Sequence, residues 1–582
     1  MEEMKMMATA AEEIKEPPCH CPVVDTSPSL VFFTVRRKHN MKWKSRFIYL
    51  QCYFLTIATI LGTGILGLPV TIAHSGLVPF LISFLIGFCV QALLIYLFVE
   101  LLQKCQVVQL ESLKKAASEC IVLDQVNVQH ATLTEDEDED ESDNAESDTG
   151  LLQPESVDLQ NQEEDLQPNL HLLGQLFLSR PMSHAFNCIL LFQFISIGTS
   201  YVLAGSEAFA ALLNVRHIYI IPAFTWILTL AILLGHKFIQ PVTSLLTLLK
   251  GILLIVTVAV TLAVGSEVGL ESSSDFRHIG KPFLMGTVAL GGIVNVMPLL
   301  FSQIEHNRTQ IIWFRRAILC GLMTCTVLNI LWCWAVLEIV PQTSSQQRHE
   351  TLETTSQNLT GSLRGPQTSS KVMLYSNISL DESEKAGEIA TIPLTKIISE
   401  RYKSYAWVAQ LIQVFIAISV SVSFLVMGSA MKHTIDGLVS SCFSKNIQWL
   451  STALENNQMN RHQMCTARST VKGLASLLAF VVIFIVSVFD PKGFVVILDK
   501  VVSFSLNTEV GLFIFIMLRE SREDRYQHIG VPLPVGDCVF SLTWLLPTYF
   551  LFAVTFDALQ SLADIVHFYL PFHSHDHVAH DP

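Results

Sequence analysis

The apolar residues of this chain are gathered into blocks separated by polar segments, at about 49–73, 78–101, 185–212, 218–235, 243–264, 284–302, 317–340, 405–428, 473–489, 494–518 and 540–570. A helix needs about 20 apolar residues to cross about 30 Å of hydrocarbon, and runs of this length are too long for strands. The pattern therefore predicts eleven membrane-spanning helices. The last block exceeds one straight span and predicts a kink near Pro547 or a run into a surface segment, while the ninth is short.

The polar segments divide the chain into a cytosolic, mostly disordered N-terminal stretch over 1–48, helices 1 and 2 over 49–102, and an acidic, largely disordered cytosolic loop over 103–183. Helices 3 to 7 follow over 184–340, then a glycosylated outer loop over 341–404, helices 8 to 11 over 405–570, and a His-rich outer tail over 571–582. Composition agrees: of 582 residues 51% are hydrophobic and 15% charged, with a mean hydropathy of +0.45. A net charge of -14 suggests basic partners, but "EDEDEDESDNAESD" at 135–148 supplies ten acids and no base, so one loop carries most of the excess. No basic patch for nucleic acid is present. The opening "MEEMKMMATAAEEIKEPP" lacks the basic-then-apolar pattern of a cleaved signal peptide, so insertion is expected to rely on helix 1.

Orientation follows from the enrichment of cytosolic loops in Lys and Arg. "RRKHNMKWKSR" at 36–46 precedes helix 1 and sets the N-terminus in the cytosol; alternation then brings "FRR" at 314–316, the basic loop between helices 8 and 9, and "RESREDR" at 519–525 to the same side. The sequons at Asn358 and Asn377 fall in the long loop assigned outside, where glycan acceptors belong. All 13 cysteines fall in spans or cytosolic segments. A third sequon, at Asn307, lies on the cytosolic side and reads as unused.

Within helix 1, "LGTGILGLP" at 61–69 contains the literal spacing G-x-G-x-x-G. A dinucleotide fingerprint needs a preceding strand and an acid about 20 residues on. Neither condition is met. Glycine costs a helix interior about 1 kcal/mol and proline about 3, so Gly62, Gly64, Gly67 and Pro69 predict an interruption. Helix 6 repeats the pattern in "LGGIVNVMPLLF" at 290–301, where Gly292 and Pro298 echo Gly64 and Pro69. Paired interruptions at matching positions of two repeats point to a transporter binding site at the bilayer midplane. Exposed amides there suit a carboxylate and freed carbonyls an ammonium or a coupling cation. The competing reading is that the small residues serve only close helix packing.

At these residues the chain resembles the amino acid/auxin permease family of the amino acid, polyamine and organocation superfamily, through "GTGILGLP" and the eleven-helix plan with a cytosolic N-terminus. The resemblance implies an all-α polytopic fold of inverted five-helix repeats, helices 1–5 and 6–10, with broken helices 1 and 6. It also implies amino acid binding through exposed main chain, driven by a proton or sodium gradient with no bound cofactor. The residues carried over are Thr63, Gly64, Ile65, Leu66 and Gly67 in helix 1 and Gly291, Gly292 and Asn295 in helix 6. The chain departs from the family in lacking an aromatic residue near the helix 6 break and in its long acidic and glycan-bearing loops.

Charges inside a span cost several kcal/mol unless paired or hydrated, which makes Glu207 in helix 3 and Asp499, Lys500 and Glu509 in helix 10 candidates for ion coupling. Glu207 is expected to pair with Lys500 or to meet water. Ser419 and Ser423 of helix 8 are the candidates for sodium. The five tail histidines suggest zinc binding less strongly than a flexible end. Tyr526–Ile529, "YQHI", and Leu151–Leu152 after acids match sorting-adaptor signals, which point to an endosomal or lysosomal membrane as readily as to the plasma membrane. No hydrolase constellation is present, and an enzyme is not expected. The leading expectation is a secondary active transporter of amino acids; the alternatives are a transporter-like sensor signalling through the acidic loop and a structural membrane protein with a vestigial site.

Overall fold

Eleven helices long and apolar enough to cross a membrane stand in the computed structural model, which describes residues 28–132, 168–234, 236–270, 272–343, 378–453, 461–489 and 497–569. Helix 1 is Pro28–Thr71, helix 2 Leu77–Thr132, helix 3 Arg180–Leu213, helix 4 His217–Leu234 and helix 5 His236–Val268. Helix 6 comes in two pieces, Gly280–Gly291 and Ile293–Phe301; helix 7 is Arg308–Leu337, helix 8 Ala406–Ala453 and helix 9 Arg461–Phe489. Helix 10 runs from Ile497 to Glu520 and contains two π-helical stretches, Ile497–Val502 and Glu509–Ile514. Helix 11 begins with the turns Asp537–Ser541 and Leu542–Trp544 and continues over Leu545–Tyr569. The chain divides at Phe47 into a first unit, whose described part is the opening of helix 1, and a second unit, Ile48–Pro582, that holds the bundle.

Among the described residues the fold is all-α, eleven span-length helices in chain order. Helices 3 and 8 pack along each other. Burial decides which helices are central: 94% of the helix 1 span and 83% of the helix 6 span are buried, against 28% for helix 4, 33% for helix 5 and 22% each for helices 9 and 11. The outer helices turn Ile227, Leu230, Leu245, Leu478 and Phe552 outward. That apolar belt is what a lipid-facing surface requires. Several hydroxyls on the spans are satisfied locally, Thr56 donating to the Cys52 carbonyl and Thr225 to that of Ile221, both at 2.8 Å.

Several boundaries differ from the sequence expectation: helix 1 begins at Pro28, within the segment expected to be mostly disordered, and helix 8 runs on to Ala453. Helix 2 continues to Thr132, thirty residues past the predicted start of the acidic loop, because "VVQLESLKKAASECIVLDQVNVQHAT" lacks glycine and proline and is rich in helix formers. Leu170–Phe177, also assigned to that loop, is helical and capped by Asn169, whose side chain accepts the Leu172 amide at 2.8 Å. The acidic run, the sequons Asn358 and Asn377, Leu151–Leu152 and the His-rich tail lie outside the described residues.

At one end of the bundle, two short helices, Leu380–Ala386 and Thr391–Arg401, gather with residues 72–76 and 272–279; we call this the loop-helix end. Ser379 caps the first of them, Asp381 and Glu382 occupy its first turn and Lys385 its last, and Gly387 ends it at φ +68°. Every one of these choices suits the helix dipole and its caps. At the opposite end Arg522 grips Glu100 with two hydrogen bonds of 3.0 and 3.1 Å, and Val535 donates its amide to the same carboxylate. These contacts tie helix 2 to the segment after helix 10.

Candidate functional site

The break expected in helix 1 is not present: α-helical geometry persists from Pro28 to Thr71, because neighbouring donors satisfy the carbonyls near Pro69. Pro69 has no N–H to give the carbonyl of Ile65, and the Trp332 indole of helix 7 donates to that carbonyl instead, at 2.8 Å. The next carbonyl, of Leu66, accepts the Ala390 amide from the loop-helix end at 3.4 Å. Proline inside a buried span is tolerated when neighbours satisfy the groups it frees, and that is the arrangement here. Helix 6 is divided at Gly292, a single residue that keeps right-handed helical dihedrals (φ −55°, ψ −18°), and Pro298 withholds the donor that the Val294 carbonyl would otherwise receive. Asn295, between break and proline, is buried with both amide atoms lacking a hydrogen-bond partner.

The glycines are in close contact with their neighbours. A Cβ on Gly64 would sit 2.8 Å from Asn329 Oδ1 and one on Gly67 2.9 Å from Met285 Sδ; one on Gly291 would strike Leu506. On Gly292 it would meet only Thr59 Cγ2, at 3.6 Å. Three of these four predicted glycines therefore also serve close packing, the competing reading of the motif. The side chains of Ile65 and Leu66 are buried, and that of Thr63 lies outside the described ones.

Beside the motif lies a group that the sequence reading missed. Lys250 of helix 5 is fully buried and donates to the Ala58 carbonyl of helix 1 at 3.0 Å, to the Ser419 carbonyl of helix 8 at 3.3 Å and to Ser423 Oγ at 2.9 Å. Ser423 in turn donates its hydroxyl to the Ala58 carbonyl at 2.8 Å. Three acceptors around one nitrogen use the three N–H groups of an ammonium, so the geometry is that of the charged form. Gly62 lets this contact form, because a Cβ there would lie 2.4 Å from Ser423 Oγ and 2.6 Å from the Tyr201 hydroxyl. Of the two serines expected to serve sodium, Ser423 presents its hydroxyl and Ser419 its main-chain carbonyl to the Lys250 nitrogen. The only sequence signal was one lysine inside the apolar run "LLTLLKGILLIV".

The acids separate. Glu509 opens the second π-helical stretch of helix 10, fully buried, and the polar group facing it is Gln193 of helix 3. Such π stretches are rare and cluster at functional sites. Two residues earlier Asn507 donates to Thr287 of helix 6 at 3.0 Å and to Ser503 at 3.1 Å. Glu207 does not pair with Lys500, whose ammonium instead meets Asp557 of helix 11 at 3.4 Å. Glu207 lines a cleft of about 270 Å³ with Ala208, Ile389, Thr391, Gln413 and Ile416, toward the loop-helix end. The Asp499 side chain lies outside the described ones. Tyr526 and Ile529, expected to face an adaptor, are both packed into the protein, and the Tyr526 hydroxyl donates to the Leu176 carbonyl at 2.6 Å. Asn307 caps helix 7 by accepting the Thr309 amide.

No family model matches the chain, and no curated protein matches it, so the resemblance to the amino acid/auxin permeases rests on the helix 1 motif and the helix plan. Among solved structures the chain is similar to a manganese transporter of Eremococcus coleocola, at 11% identity over 90% of this chain and 88% of that one, with a TM-score of 0.47. It is also similar to Mhp1, a nucleobase-cation-symport-1 family transporter solved in a closed conformation with bromovinylhydantoin bound, at 9% identity over 90% and 94% with a TM-score of 0.48. At such identities and TM-scores these likenesses say nothing of cargo or coupling.

Proposed function

We propose that this chain is a secondary active transporter of a small zwitterion, an amino acid, bound between helices 1 and 6 and coupled to protons. The observation that carries the reading is the Lys250 ammonium on the Ala58 and Ser419 carbonyls and Ser423 Oγ. Main-chain carbonyls and a hydroxyl at such a place are the ligands a coupling sodium would take. A tethered ammonium already fills that place, which favours protons over sodium. Loss of the Lys250 proton removes the charge that pulls helix 1 onto helix 8, and its return restores it. Glu509, fully buried with the Gln193 amide facing it, is the second group that a proton or a substrate ammonium would satisfy. Asn295 and the helix 6 break offer unpaired polar groups to the carboxylate end.

In this reading the N-terminus and the Arg522 end face the cytosol, and the loop-helix end, with the sequons Asn358 and Asn377, faces outside or the lumen. The test is uptake of a labelled amino acid mixture by proteoliposomes under an imposed pH gradient, a sodium gradient, or neither. Uptake that follows the pH gradient alone and disappears in Lys250→Met supports the proposal. Uptake that follows sodium, or persists in Lys250→Met, refutes it.

A further inference from the structure

The loop-helix end brings together chemistry that transport does not use. His74, just past helix 1, places Nε2 3.0 Å from Asp381 Oδ1. Asp381 Oδ2 is held by Lys385 at 2.8 Å. Glu384, one turn along the same short helix, gives Oε1 to Lys281 at the start of helix 6 and leaves Oε2 buried with no hydrogen-bond partner among the described residues. The His74 nitrogen and one oxygen from each carboxylate lie within 4.8 Å of one another. A second imidazole, His278, stands 5.5 Å from the His74 ring, loosely held by Asp275 at 3.8 Å.

The geometry points to a divalent transition-metal site at His74, Asp381 and Glu384, zinc by its ligand chemistry, with water or His278 in the fourth position. One imidazole and two carboxylates with an open position suit a four-coordinate zinc ion. The lysines do not block it. Each holds the carboxylate oxygen that points away, the outer hydrogen bond that ligating carboxylates ordinarily keep, and each leaves the other oxygen free for one-point coordination. Lys385 is 67% exposed on its side chain, so its charge is well screened. His74 lies past the end of helix 1, Glu384 is tied to helix 6 through Lys281, and Ala390, a few residues on, bonds the Leu66 carbonyl. A metal here staples the outer ends of helices 1 and 6 through one short helix. Coordination through Nε2 needs His74 neutral with its proton on Nδ1, so acid competes with the metal.

The test uses cobalt(II) as a spectroscopic probe on the purified full-length protein, with tail histidines His573, His575, His577 and His580 changed to alanine so that they can contribute no ligand. One cobalt per chain with the intense visible absorption of a four-coordinate ion, displaced by zinc, is the expected result. His74→Ala and Glu384→Gln should each weaken it at least tenfold while the melting temperature without metal is kept. Absence of the band, or equal binding by both variants, overturns the assignment; if His74→Ala does not fold, His74→Gln takes its place. The measurement is made on resting protein, so its outcome is independent of whether the chain transports.

Discussion

Removing the Lys250 ammonium is the perturbation that separates a coupling site from a structural contact. Lys250→Ala deletes the amine and three methylenes and leaves the Ala58 carbonyl, the Ser419 carbonyl and Ser423 Oγ pointing at an unfilled position. Hydrogen bonds to a charged group contribute about 1.5–3 kcal/mol each, whereas burying the ammonium costs several kcal/mol. The two nearly cancel, so the charge itself contributes little net stability. The remaining loss in Lys250→Ala comes from the space left behind. An oxygen-lined space of this kind admits sodium, and a bound ion stabilises by about 1.4 kcal/mol at ten times its Kd and about 2.7 kcal/mol at a hundred times. Thermal unfolding in detergent, in sodium chloride against choline chloride of equal ionic strength, reads this directly. Lys250→Ala should gain stability from sodium and the parent should not; Lys250→Met, whose thioether fills the space, should fold and show no sodium effect. An equal sodium shift in the parent, or none in Lys250→Ala, would refute the idea that the lysine stands in a cation site.

Other consequences follow from the same geometry. Gly64→Val should destabilise by about 1–3 kcal/mol through overpacking against Asn329 and Ala289, while Gly292→Ala meets only Thr59 and should be neutral or stabilising by up to about 1 kcal/mol; denaturation midpoints distinguish the two, and uptake lost in a stable Gly292→Ala would show that the break itself is needed. Trp332→Phe leaves the Ile65 carbonyl without its donor and should cost about 1–3 kcal/mol, with faster hydrogen exchange in helix 1 than in helix 2; unchanged exchange would mean another donor replaces the indole. Burial pushes the Asp381 carboxyl up, but the Lys385 hydrogen bond and the His74 charge outweigh it and hold the group below the usual carboxylate range. Its contribution is therefore complete above the unfolded value near 3.9 and is lost as pH falls through the lower folded value. Protease sensitivity of residues 380–402 should rise only in that acid window, and a rise already at pH 5–6 would exclude Asp381 as the cause.

The sequence by itself determined the membrane architecture, because a span must be long and apolar whatever it packs against. It also located the division of helix 6 at Gly292, but the break it expected in helix 1 does not form, since the costs of glycine and proline are local while the donors that offset them are not. Pro69 frees one carbonyl, and whether the helix opens there depends on a donor 267 residues away, Trp332. Nor did it show what Lys250 meets. Two of its three partners are main-chain carbonyls, on residues 192 and 169 positions distant, and a carbonyl has no side-chain identity that a motif could record. The placement of Glu207 and Lys500 was misjudged for a related reason, because a charge in a span advertises the need for a partner without naming it. Tyr526 and Ile529 match a sorting pattern letter for letter, yet burial, a property of the packed bundle alone, withdraws both side chains from view.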